Sequence, residues 1–198
     1  MDNLNSSRTI YNNNGLKFSY VENFYSQDES NYYLNLLLNE LHWEQKQINL
    51  YGKSINLPRL TTYFSNPGIN YSYSGINHQS TEYPAFINSI KSKAETLFDA
   101  NFNSVLLNRY KNGFHWHGYH ADNEKELGKV INICSISFGA ARDFIFKSKK
   151  DNTKKILLLQ NGSALYMMHP TQQNYKHSLP KRTKVFNERV NLTFRYII

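Results

Sequence analysis

Apolar side chains in the first half of this chain recur at helical spacing, and in the second half they alternate. In Glu29–Leu41 (ESNYYLNLLLNEL), Tyr33, Leu34, Leu36, Leu37 and Leu41 fall on one side of a 3.6-residue period and predict an amphipathic helix. Pro84–Asp99 predicts a second helix, with Phe86, Ile87, Ile90, Ala94, Leu97 and Phe98 on one face. Between them, Trp43–Leu50 alternates loosely toward a turn at Tyr51-Gly52-Lys53. Pro58–Phe64 and Tyr71–Gly75 read as short strands around Asn66-Pro67-Gly68. From Asn103 onward the pattern is strand after strand: Ser104–Tyr110, Ile131–Phe138, Asp143–Lys147, Lys155–Leu159, Ala164–Met168, His177–Leu179 and Arg189–Ile197. Breaks fall at Asn112-Gly113, Gly139, Asn161-Gly162 and Pro180. Helices followed by many short strands predict an α+β, mainly β fold, a double-stranded β-helix (jelly roll) backed by N-terminal helices.

Residues 1–16 are rich in Asn and Ser and are expected to form a flexible arm. Residues 17–198 are then a single domain, divided into 17–102 and 103–198 where the periodicity changes. Fifteen Tyr and twelve Phe suit a β-rich core and surfaces that stack on flat ligands. A formal charge of +8 favours a polyanionic partner, nucleic acid or an anionic membrane. Lys147–Lys155 (KSKKDNTKK) concentrates that charge in one loop, solvated or in contact with phosphate. Cys134 is the single cysteine, which excludes an internal disulfide and a Cys-based zinc site; its apolar surroundings predict a buried, inert thiol. No apolar run approaches the roughly 20 residues that span a bilayer. No signal segment is evident at the start. A monomer in a reducing intracellular compartment, cytoplasmic or nuclear according to its source, is expected without a membrane partner.

Candidate chemistry is scattered through the second half. In a strand, residues two apart project to one face, so His120 and Asp122 can approach one ion, with His177 as a third ligand. Two imidazoles and one carboxylate suit Fe(II) and leave coordination positions open. His115 and His117 form a competing pair, and His42, His78 and His169 are further imidazoles, so spacing leaves the ligand set open. In the last strand Arg189, Asn191, Thr193 and Arg195 alternate with Val190, Leu192 and Phe194. Two guanidinium groups on one side of a β-sandwich interior call for an anionic partner. Asn108 and Tyr110 make a similar polar pair on an earlier strand.

Taken in order, Asn108-x-Tyr110, His120-x-Asp122, His177 and Arg189-x-Asn191-x-x-x-Arg195 resemble the AlkB family of Fe(II)- and 2-oxoglutarate-dependent nucleic-acid demethylases. The likeness is strongest to the animal homologues that repair double-stranded DNA. It runs from about Trp43 to the C-terminus. It includes Tyr51-Gly52-Lys53, Pro58-Arg59, Tyr71-Ser72-Tyr73-Ser74-Gly75, Asn108-Arg109-Tyr110-Lys111 and Ser135-Ile136-Ser137-Phe138-Gly139-Ala140. It continues through Arg142-Asp143-Phe144, Met167-Met168-His169-Pro170-Thr171 and His177-Ser178-Leu179-Pro180.

The resemblance implies that His120, Asp122 and His177 hold iron. It places Arg195 and Asn108 at the keto-acid end of 2-oxoglutarate and Arg189 and Tyr110 at its distal carboxylate, with Asn191 in support. It implies oxidative demethylation of 1-methyladenine- and 3-methylcytosine-type lesions in DNA, with dioxygen consumed and formaldehyde, succinate and CO2 released. Residues 17–102 would be the nucleotide-recognition part and 103–198 the catalytic jelly roll. A base in a duplex must be flipped out to react. Tyr51 stands where the double-strand-specific member has a wedge phenylalanine. Tyr73 would stack on the flipped base, Tyr71 and Glu124 would offer polar groups, His169 or Arg109 would wall the pocket, and Arg59 and Arg142 would also bind substrate. Competing readings are the same chemistry on RNA, tRNA or protein, a nucleic-acid-binding module with a structural metal, and a cupin-like metal protein.

Overall fold

The computed structural model describes residues 8–50, 52–69, 71–73, 76–78 and 81–198, and for 49–50, 71–73 and 76–78 it gives backbone alone. The first half comprises β1 (Arg8–Asn13), β2 (Leu16–Val21), α1 (Gln27–Asn39), β3 (Gln47–Leu50), β4 (Lys53–Asn56), β5 (Leu60–Ser65), β6 (Tyr71–Tyr73), β7 (Ile76–His78) and α2 (Ala85–Phe98). The second begins with β8 (Ser104–Tyr110), β9 (His117–His120), a 3-10 turn (Lys125–Leu127), β10 (Ile133–Gly139), β11 (Arg142–Ser148) and β12 (Lys154–Leu159). It ends with β13 (Ser163–Met167), α3 (Thr171–Asn174), β14 (Tyr175–Leu179) and β15 (Arg189–Arg195).

Two antiparallel sheets dominate, one in the order β1-β2-β13-β10-β15-β8-β5 and one in the order β12-β11-β14-β9. Short hairpins β3–β4 and β6–β7 stand apart from both. This is the expected jelly roll, with α1 and α2 backing the larger sheet. Ser26 starts α1 with a capping box: its hydroxyl accepts from the Glu29 amide, and the Glu29 carboxylate accepts from the Ser26 amide at 2.8 Å. At the end of α2, Asp99 adopts a left-handed conformation (φ 48°).

Strand alternation sorts the side chains into two layers. On β15, Val190, Leu192 and Phe194 join Val105, Leu107, Cys134, Ile136 and Phe138 in a core shared with Leu37 of α1 and Ile87, Ile90, Ala94 and Phe98 of α2. Burying each such large aliphatic or aromatic side chain contributes about 1.5–3 kcal/mol. Cys134 lies fully within this layer, and burial pushes its thiol pKa up, as expected of an inert thiol. Between the sheets, Leu106, Ile133, Leu165 and Met167 meet Phe144, Phe146 and Leu179. The polar residues of β15 point into this second layer.

One expectation is corrected and one element is added. The supposed arm over residues 1–16 is structured from Arg8 onward, because β1 pairs with β2 through an Asn14-Gly15 turn with φ of 50° and 77°. Its polar composition suits a sheet edge, while Tyr11 stacks on Phe18 at 5.2 Å; residues 1–7 lie outside the described residues. Residues on either side of 102/103 share one sheet, in which β2 pairs with β13 and β5 with β8. Strand β9 went unpredicted because its polar, Gly-containing sequence carries no alternation. No helix among the described residues is long and apolar enough to cross a membrane.

Gly139 joins the core to the polar face. Its φ is +90°, and a β-carbon there would lie 2.3 Å from the Glu188 carbonyl oxygen, beside Arg189. Gly139→Ala is expected to destabilise the protein by about 2–4 kcal/mol through strain and overpacking. Denaturant unfolding measures this, and an unchanged midpoint would contradict it.

Candidate metal centre

Strands β9 and β14 build the site through a register irregularity. His120 pairs with His177 and His117 with Leu179, so three steps along β9 match two along β14. Such a bulge re-aims side chains, and both His117 and His120 line the cavity between the sheets. Their rings stack at 3.8 Å. Strand β9 ends at His120, so Asp122 does not share a strand face with it as expected; it lies in the following segment, where its amide donates to Gln172 Oε1 at 3.1 Å.

One ligand atom from each of His120, Asp122 and His177 lies within 4.8 Å of the others. His120 Nδ1 donates to the Gly118 carbonyl at 2.8 Å, which places the ring proton there and leaves the Nε2 lone pair for a cation. Asp122 is buried; its Oδ2 accepts from an Arg195 terminal nitrogen at 2.9 Å, while its Oδ1 is sealed from solvent without a hydrogen bond. A buried carboxylate oxygen without a donor is costly unless a cation meets it. His177 stacks on Phe144 at 5.1 Å, which fixes its plane. Two neutral imidazoles and one ionised carboxylate fit a divalent ion of the Fe(II) class.

Burial and the charge of His120 bring His177 down to about 3, and burial lowers His120 despite Asp122 nearby. Burial opposes ionisation of Asp122, but Arg195, His177 and His120 together outweigh it and hold the carboxyl well below the usual range. All three groups are therefore in ligating form at neutral pH.

Along the same cavity run Asn108, Tyr110, Arg189, Asn191 and Arg195, brought together by the β8–β15 register, in which Arg189 faces Tyr110 and Asn191 faces Asn108. The cavity holds about 460 Å³, its open mouth included. Arg189 is 1% exposed, lies over the Tyr110 ring at 5.3 Å and donates to Ser137 Oγ at 2.9 Å. Its Nε has no acceptor, it pairs with no carboxylate among the described residues, and burial lowers its pKa to about 10. This buried cation calls for an anionic ligand. Asn191 is held by Ser135 Oγ at 2.8 Å and the Ile136 carbonyl at 2.9 Å. Asn108 Oδ1 accepts from Arg59 Nε at 2.8 Å.

The candidate substrate residues divide sharply. Arg59 is buried and bridges Asn108 to His117 Nε2, 3.1 Å away, so it supports the site from within. Arg142 donates from its guanidinium to the carbonyls of Asn112, His115 and Pro180, tying loops together. Arg109 makes a two-pronged ion pair with Glu188 and does not line the cavity. Glu124 heads the 3-10 turn, half-buried, two residues past Asp122. Tyr51 and the side chains of Tyr71 and Tyr73 lie outside the described residues. Of the spare histidines, His115 Nδ1 accepts from the Lys111 amide at 3.4 Å, and neither His115 nor His169 lines the cavity. The sequence offered His117 only as part of a competing pair with His115. Only the bulge, which no local spacing reveals, brings it inward.

A family model described as the 2OG-Fe(II) oxygenase superfamily matches residues 17–195. The chain is 38% identical to human "DNA oxidative demethylase ALKBH2", over 77% of this chain and 61% of that protein. It is 32% identical to the Arabidopsis thaliana protein of the same name, over 98% of this chain and 70% of the relative. Human "Alpha-ketoglutarate-dependent dioxygenase alkB homolog 3" is 29% identical over 88% of this chain and 64% of its own. The chain spans about three fifths of the length of the human and bovine ALKBH2 proteins. A solved structure titled "The structure of OsALKBH1" matches 95% of this chain and 100% of its own with a TM-score of 0.66 at 14% identity, a likeness of fold.

Two outcomes follow for the metal-free protein. Folded His177 takes a proton only near pH 3, whereas an unfolded histidine does so near about 6.5. The unfolded chain therefore binds the extra proton between those values, and stability falls as pH drops from about 6.5. Asp122, held low, adds to the loss below about pH 4. Denaturant midpoints at pH 7 and 5 should differ in that direction, and less so in His177→Gln. Arg189→Met should leave the ligand-free protein as stable or up to ~3 kcal/mol more stable and remove its thermal stabilisation by 2-oxoglutarate. Retention of that stabilisation would place the dicarboxylate elsewhere.

Proposed function

Because the chain belongs to the 2OG-Fe(II) oxygenase superfamily, and within it to the AlkB family, we propose that it is an oxidative demethylase of alkylated bases in DNA. The observation that carries this reading is Asp122, with one oxygen on Arg195 and the other bare beside two imidazoles. His120, Asp122 and His177 would hold Fe(II). Arg195 and Asn108 would receive the keto-acid end of 2-oxoglutarate, and Arg189 with Tyr110 its distal carboxylate, Asn191 in support. When bound with dioxygen, these groups supply hydroxylation of an N-methyl carbon, with formaldehyde, succinate and CO2 as products.

The protein's own contribution is positional and electrostatic. Arg195 keeps Asp122 ionised and oriented. The Gly118 carbonyl sets the His120 tautomer, and Phe144 fixes the His177 ring. Arg59 holds the Asn108 carbonyl, so the amide nitrogen of that side chain remains to donate. Because the ligands are buried, the target base must be single-stranded or flipped out. The hairpins β3–β4 and β6–β7, within 17–102, are suited to that nucleotide-recognition part, with Tyr51 as wedge, Tyr73 as stacking partner, and Tyr71 and Glu124 as polar contacts. The active unit is read as a monomer.

Incubation with Fe(II), 2-oxoglutarate and 1-methyladenine in single-stranded DNA, duplex DNA and RNA tests the proposal. Formaldehyde and succinate should appear in equal amounts from DNA, and Asp122→Asn should abolish both. Tyr51→Ala should lower repair of duplex more than of single strands. Absence of repair on all three polymers would move the substrate away from nucleobases.

A further inference from the structure

His117 lines the cavity, yet it is not one of the three candidate ligands. Its place is fixed from two sides. On one, its ring stacks on that of His120 with 19° between the planes, next to the bulge against β14. On the other, the chain just before it is tied to the segment ahead of β5, because the Trp116 amide donates to the Pro58 carbonyl at 3.1 Å. Arg59 follows Pro58, and one of its terminal nitrogens lies 3.1 Å from His117 Nε2. A guanidinium can only donate, so Nε2 accepts and the ring proton sits on Nδ1. His117 is a neutral acceptor in this contact.

Arg59 carries that contact on to Asn108. Its Nε donates to Asn108 Oδ1 at 2.8 Å, and Thr61, two residues on, faces Asn108 across β5 and β8. The planar guanidinium presents its donors in one rigid fork, so fixing one end orients the other. Arg59 is buried and makes no ion pair among the described residues. An imidazole nitrogen and an amide oxygen, both neutral, hold its side chain in place. A carboxamide carries its acceptor on one side and its two N–H donors on the other. With the oxygen on Arg59, Asn108 must turn those donors away from Arg59, and it lines the same cavity as Arg195. Without the His117 acceptor, a buried guanidinium N–H would lack its partner, a cost relieved when Arg59 swings away from Asn108.

We propose that His117 is a positioning residue for 2-oxoglutarate: through Arg59 it sets which side of the Asn108 amide meets the keto-acid end. The inference rests on the proposed seat of that end at Asn108 and Arg195. The test titrates 2-oxoglutarate into the full chain saturated with Mn(II) in place of iron, and calorimetry gives Kd. The proteins are the wild type, His117→Leu, His117→Gln, Asn108→Ala, and His117→Leu combined with Asn108→Ala. A glutamine side-chain oxygen reaches nearly as far as imidazole Nε2 and restores the acceptor. His117→Leu should raise Kd about tenfold, as loss of one charge-assisted hydrogen bond does, and His117→Gln should stay within about threefold of the wild type. The combined variant should bind no more weakly than Asn108→Ala, because both changes remove the same contact. Mn(II) affinity without 2-oxoglutarate, read by electron paramagnetic resonance, should change far less than Kd in His117→Leu. A further loss in the combined variant, or His117→Gln as weak as His117→Leu, overturns the relay. So does an equal loss of Mn(II) affinity, which would assign His117 to holding the His120 ring instead. Wild-type binding that His117→Leu leaves unchanged overturns this inference alone. A wild type that does not bind 2-oxoglutarate overturns the demethylase reading and this inference with it.

Discussion

A carboxylate buried between two sheets, with one oxygen committed to an arginine and the other left bare, is the constraint around which this structure is arranged. Asp122 stays ionised because Arg195, 2.9 Å away, acts on it together with His177 and His120, and Arg195 is there because β15 runs its full length through the middle of the larger sheet. The Gln172 side chain fixes the Asp122 backbone from α3. The bare oxygen then creates a demand for positive charge that His120 and His177, both kept neutral by burial, do not meet themselves. A divalent ion satisfies it. The arrangement is one of complementary deficits: Asp122 lacks a cation, and Arg189 at the far end of the same strand lacks an anion.

Strand β15 serves both halves of the molecule because its side chains alternate. Val190, Leu192 and Phe194 hold the helices, and Arg189, Asn191, Thr193 and Arg195 line the cavity. Stability and chemistry are thus carried by opposite faces of one strand, so a register slip would exchange them and lose both. The smaller sheet repeats the division. Phe144, Phe146 and His177 face inward, and Lys147, Lys154 and Lys176 lie on its outer side.

What was legible in the sequence was whatever depends on local period. Helices α1 and α2, strands β8 and β15 and the alternating polar face of β15 follow from spacing, and the ligand set followed from motifs in a fixed order. Residues 8–16 were missed because Asn and Ser were read as disorder, although Asn14-Gly15 carries a hairpin signal. Strand β9 was missed because its histidines are brought inward by a bulge against β14, a pairing between residues about 60 apart in sequence. Arginine roles were the least legible. Arg59, Arg109 and Arg142 each sit in a shared motif, yet one braces Asn108, one pairs with Glu188 and one ties loop carbonyls, because a guanidinium's role is set by the acceptors that surround it.

Anomalous diffraction at the iron edge, from crystals grown anaerobically with Fe(II) and 2-oxoglutarate, tests the central claim most directly. The account predicts one strong peak bonded to His120 Nε2, His177 and Asp122 Oδ1, with Arg195 still on Oδ2 and the distal carboxylate of 2-oxoglutarate on Arg189. A peak bonded to His117 in place of Asp122, or an Asp122 that binds through the oxygen now held by Arg195, would contradict it.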